Sequence, residues 1–204
     1  QLFHAAVDRR AYPQFPLLIL IAAYSGMREE GICQLKIDTD VDRKKLILQV
    51  GKTEAARRLV PVYQELKNLI DHLCSTSKDG WLISSLKSGN KYGKQSHNIA
   101  QRFGDLKTDL GFSQREKNFH SFRHSCSTKL REANLEDYWI QQIIGHKTGR
   151  LAGVPDSTVT DQYTFSPQNF ESKNYDTKKA HIDKVRYDGV LDDSSPYFKS
   201  IIGN

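Results

Sequence analysis

The run FPLLILIAAY, residues 15–24, constrains the fold more than any other stretch of this chain. It is the longest apolar run and carries no charge. A membrane-spanning helix needs about 20 consecutive apolar residues. This run is too short for that and reads as a helix buried inside a domain. No signal peptide precedes it. The chain starts at Gln1 rather than Met, which reads as a piece of a longer protein.

The three cysteines, Cys33, Cys74 and Cys126, are odd in number and widely spaced, with no CxxC pair. That pattern argues against a disulfide framework and a structural zinc site, and it fits a reducing cytoplasm. With 204 residues the chain can form one domain, or one domain and a tail. A net charge of +6 fits an anionic partner such as nucleic acid, though charge alone does not decide the matter.

Periodicity divides the rest. Helices are expected over 1–10 and 15–27, and again within SGMREEGICQL, residues 25–35, after its Ser-Gly turn. Between 35 and 63 the pattern changes. LILQV and RRLVPV are β-prone runs around a polar turn carrying Gly51 and Lys52, and LKI at 35–37 is taken as a third strand. Leu66, Leu69, Ile70 and Leu73 repeat at helical spacing. Further helices are expected at about 96–110, 120–133 and 136–144, then a Gly-rich loop over 145–158 and a short helix from Asp156 to Tyr163. From 170 the chain is polar and reads as a tail or an arm exchanged with a neighbour. The fold class is α+β, mostly helical, with a small three-stranded antiparallel sheet.

FHSFRHSCSTKL, residues 119–130, holds the densest chemistry. Phe119, Phe122, Cys126, Leu130 and Ala133 form a core stripe at helical spacing, with His120 and Arg123 on its flank and His124 one turn from His120. Taken alone, these polar groups can serve the free backbone ends of a helix. A metal site on the two histidines lacks the glutamate of HExxH and a third ligand, so no metal is expected. The partners for a third reading lie elsewhere, in the order Arg28, Lys52, His120, Arg123, His146, Tyr163.

In that order the sequence resembles the catalytic domain of tyrosine recombinases of the phage integrase type. SGMREEGICQL resembles the family's first arginine motif, VGKTEAARRLVPV its β-hairpin lysine motif, HSFRH its H-x-x-R box, IIGHK the following histidine and VTDQYT the nucleophile segment. The resemblance covers roughly residues 1–170, leaving 171–204 as a C-terminal extension, and it implies a core-binding domain before Gln1. There are two departures. Gly31 stands where the family has an acidic residue, with Glu30 as a possible support for the arginine instead, and the stretch from His146 to Tyr163 is long.

The resemblance implies a site-specific recombinase, or integrase, of a phage or mobile element. Tyr163 would be the nucleophile forming a 3′-phosphotyrosyl intermediate. Arg28, Arg123 and His146 would bind the phosphate oxygens, His120 would accept a proton, and Lys52 would be the acid. No cofactor, metal or ATP is implied. The partner would be double-stranded DNA at specific sites, with a homotetramer on DNA, a monomer allowed for the free fragment, no membrane, and a cytoplasmic, DNA-associated location. Arg57, Arg58, Lys91, Lys94 and Lys147 are candidate phosphate contacts. The competing readings are a non-catalytic DNA-binding remnant and a type IB topoisomerase-like enzyme.

Overall fold

A computed structural model describes residues 5–6, 14–43, 47–50, 58–86, 93–112, 117–144 and 173–187. The long apolar run forms the helix Gln14–Ser25 (α1), in which every residue after Gln14 is buried. A helix apolar on all sides must be enclosed on all sides. Its end is set by Gly26, whose amide donates to the Ala22 carbonyl while its φ of +62° turns the chain away. The Ser25 hydroxyl accepts from the Met27 amide and secures the turn. Arg28 then opens the short helix Glu29–Cys33 (α2).

The expected strand at LKI is not there. Lys36 makes only an isolated bridge to Trp81, and Ile37 begins a helical turn, Ile37–Asp40 (α3). The Asp40 carboxylate accepts from the Lys36 amide and favours that turn over an extended strand. The first strand comes later, Val41–Asp42 (β1), followed by Ile47–Val50 (β2) and Arg58–Pro61 (β3). They form an antiparallel sheet in the order β1-β2-β3, with Val41 opposite Leu48 and Leu48 opposite Val60.

Four further helices follow among the described residues up to Ile144. Lys67–Thr76 (α4) buries Leu69, Ile70 and Leu73 along one stripe. His97–Asp109 (α5) buries Ile99, Phe103 and Leu106. Ser121–Glu132 (α6) packs against α1, and Asp137–Ile144 (α7) packs against α6 and β3. Phe103 on α5 makes edge contacts with Phe15 on α1 and with Phe119 just before α6, at centroid distances of 6.3 and 5.5 Å.

The polar stretch after 170 holds a helix, Lys173–Ile182 (α8), that lies against β3 of its own chain. Ile182 and Val185 reach the core. Tyr187 donates its hydroxyl to the Ala23 carbonyl at 3.1 Å and meets the Tyr24 ring edge-on, while Tyr24 stacks on Tyr63 at 4.7 Å. Residues 173–187 are therefore docked intramolecularly rather than extended as a polar tail. The expected helix over 156–163 lies outside the described residues.

Candidate active site

The turn after α1 and the first turn of α6 meet at Gly26. Arg123 donates from Nη1 to the Gly26 carbonyl at 2.7 Å. A side chain at 26 would be strained by the positive φ, and its Cβ would come within 2.8 Å of the Ile144 side chain and 3.4 Å of the Cys126 sulfur. Gly26 thus lets α1, α6 and α7 close around one carbonyl that holds the arginine.

Arg123 is not a flanking surface residue. Only 1% of it is exposed, making it the largest side chain among the fully buried ones. Its Nε and Nη2 are buried and have no hydrogen-bond partner among the described residues. Buried polar groups are nearly always paired, so two donors on a buried cation with no partner among the described residues mark a place suited to an acceptor. Burial, then the charge of Arg28, pushes its pKa down to about 10, which still leaves a cation at neutral pH.

Arg28 is exposed and sits at the N-terminal boundary of α2, where its side chain makes no capping bond. His120 holds the same place on α6 and also makes no capping bond, so it does not serve the free helix end. Its ring meets that of His124 at 5.0 Å. Desolvation, then the charges of His124, Arg123 and Arg28, hold His120 below the usual imidazole range, which favours a neutral ring able to accept a proton. Arg28, His120 and Arg123 are thus close enough to influence one another's charge. Lys52, His146 and Tyr163 lie outside the described residues. Among the described residues no group of histidines, cysteines and carboxylates can hold a metal ion.

The two glutamates after Arg28 part ways. Glu29 is pushed up to about 7 by burial and then by Glu30, and its Oε1 has no partner among the described residues. Glu30 does not support Arg28. It faces the start of α5, where its Oε2 accepts from the Ser96 amide at 3.0 Å and its Oε1 from the Gln95 amide at 3.4 Å. The roles of Gly26 and Glu30 were missed in the sequence. The Ser-Gly turn signal pointed at Gly26, but nothing local pointed at Glu30.

Two arginines with an imidazole near them are a set of groups suited to an anion. The model of the phage integrase family matches residues 1–154. The chain belongs to the phage integrase family.

Tyrosine recombinase XerA of Thermococcus kodakarensis is 28% identical over 136 residues, which are 64% of this chain and 46% of that protein. The chain therefore spans less than half the length of this relative. The lambda integrase catalytic core is similar in fold, with a TM-score of 0.55 at 18% identity over 74% of this chain and 88% of that one. A lambda integrase dimer bound to a COC′ core site gives a TM-score of 0.55 at 19% identity, over 72% of this chain and 54% of that one. Tyr163 lies beyond the residues that the integrase family model matches.

Among the candidate phosphate contacts of this integrase-family chain, Lys94 is exposed just before α5. Arg58 opens β3, and its side chain is not described; Arg57, Lys91 and Lys147 lie outside the described residues. Among the described residues no helix is long and apolar enough to cross a membrane.

Proposed function

We propose that this chain carries the strand-cleaving chemistry of a site-specific DNA recombinase, an integrase of a phage or mobile element. The observation that carries the reading is Arg123, a buried cation with two donors unpaired among the described residues, beside Arg28 and His120. A DNA phosphodiester is an anion that gains charge as a nucleophile attacks it. Guanidinium groups suit that task because they stay charged and bind two oxygens at once. Arg123, fixed by Gly26, and Arg28, at the rim, bind the non-bridging oxygens, with His146 as a further donor.

The nucleophile in this reading is Tyr163. A tyrosine hydroxyl has a free pKa of about 10, so it must lose its proton as it attacks. A neutral His120 accepts that proton. The Tyr163 oxygen bonds to phosphorus, the bond from phosphorus to the 5′-oxygen breaks, and Lys52 protonates the departing oxygen. The 3′-phosphotyrosyl bond keeps the strand activated. A 5′-hydroxyl reseals it by the reverse steps, with no ATP, metal or other cofactor. Duplex DNA at a specific site is the partner, and a tetramer on DNA is the working assembly. The cytoplasm, where such DNA lies, is the proposed location.

The test is covalent trapping. Nicked duplexes tiled across the ends of the mobile element are mixed with the protein and the mixture is denatured in SDS. A protein–DNA adduct that disappears in Tyr163→Phe supports both the chemistry and the nucleophile. An adduct that persists moves the nucleophile to another tyrosine. No adduct favours a DNA-binding module without catalysis.

A further inference from the structure

Glu30 sits two residues after Arg28 on α2 and reaches across to a different helix. α5 has no cap of its own. Ser96, at its N-terminal boundary, lies in the helical region with φ −76° and ψ −7°, and its side chain makes no capping bond. α5 also has no acidic residue in its first turn. The free amides at its start are met by Glu30: the Ser96 amide at 3.0 Å and the Gln95 amide at 3.4 Å. Gln34, one turn further along α2, donates its side-chain amide to the same carboxylate. Burial pushes this carboxyl up, but the donors from Ser96, Gln95 and Gln34 outweigh it and hold it below the usual carboxylate range. A carboxylate serving two backbone amides at a helix start is favourably placed for both hydrogen bonding and the helix dipole.

What Glu30 ties down matters for function. Lys94 directly precedes Gln95 and is exposed, and Gly93 before it takes a φ of +65°. Arg28 stands at the start of the helix that carries Glu30. We propose that Glu30 is a positioning residue that holds Lys94 in register with Arg28, so that both meet the phosphates of one DNA duplex. This rests on the DNA reading given above.

A carboxylate near bound DNA repels phosphate, so removing its charge should tighten binding if charge is all it contributes. A positioning role predicts the opposite sign. Two variants separate charge from reach. Glu30→Gln keeps the length but has one acceptor oxygen, whereas Glu30→Asp keeps the charge and is too short to serve both amides.

The experiment measures binding of a short fluorescein-labelled random-sequence duplex over a series of salt concentrations, with thermal melting alongside. Both variants should bind more weakly than the parent, and the slope of log K against log salt should flatten by about 1, the loss of roughly one phosphate contact. Lys94→Ala should reproduce the flattening and add nothing to Glu30→Asp. Hydrogen exchange should show faster exchange at the Gln95 and Ser96 amides in both variants. Tighter binding by Glu30→Gln, or a Glu30→Asp protein that binds like the parent, would overturn the proposal. If Glu30→Gln fails to fold, Glu30→Asp decides alone. If the parent itself does not bind the duplex, the DNA reading falls first and takes the proposal with it.

Discussion

The floor and the rim of the candidate site are built on opposite principles. At the floor, Arg123 is buried, fixed to the Gly26 carbonyl, and enclosed where α1, α6 and α7 meet. At the rim, Arg28 is exposed at a helix boundary where its side chain makes no capping bond, and Lys94 is exposed just before another. The floor charge is placed before any ligand arrives, at the expense of leaving donors without a partner among the described residues. The rim charges cost the fold little, because they are exposed and sit at helix boundaries. Preorganised donors are worth most where charge develops in a transition state, which fits the buried arginine. Exposed cations give affinity that salt screens, which fits the rim.

The largest effect that can break this contrast is catalytic. Arg123→Met and Arg28→Met should each slow adduct formation by about 10²–10³-fold. Their melting behaviour should show where they lie. Arg28→Met should leave the melting temperature unchanged. Arg123→Met loses the bond to Gly26 but also relieves a buried, under-partnered cation, so stability should stay within about 1 kcal/mol of the parent. A large loss of stability on removing Arg123 would mean that its unpaired nitrogens are satisfied within the protein.

Next comes the hinge of the floor itself. Gly26→Ala places a Cβ within 2.8 Å of Ile144 at a φ of +62°. Left-handed strain and overpacking together should cost about 2–4 kcal/mol, read by denaturant unfolding. A neutral outcome would show that α7 can yield and that the floor is less rigid than its packing implies.

The smallest effect sharpens the rim. Glu29 has a raised folded pKa of about 7, so ionising it opposes folding. Stability should be fully present below its ordinary pKa near 4.5 and fall as pH climbs through about 7. Glu29→Gln should therefore raise the melting temperature at pH 8 and leave it nearly unchanged at pH 4. The difference should be on the order of 2 kcal/mol once partial exposure is allowed for. An equal gain at both pH values would point to packing rather than charge.

Much of this was legible in the chain because the signals were local. The all-apolar run at 15–24 placed a central helix, and the stripes of Leu66–Leu73 and Phe119–Leu130 placed two more. The order of Arg28, His120 and Arg123 marked the candidate site, and the structure brings these three near one another. What escaped was non-local. Arg123 looked like a flank residue because periodicity reports the face of one helix, and the carbonyl that holds it is 97 positions away. Glu30 looked like support for its neighbour Arg28, yet its partners lie 65 and 66 positions on. LKI was too short for alternation to decide, and an aspartate side chain settled it as a turn. The segment 173–187 read as a tail because its composition is polar, while a few buried residues and the ring of Tyr187 suffice to dock it.

That docking has a consequence for how the fold comes apart. The helices ending at Ile144 and starting at Lys173 both lie against β3, so two elements far apart in sequence share one strand. Loosening β3 would free both at once, and the two helices should open as one unit rather than separately.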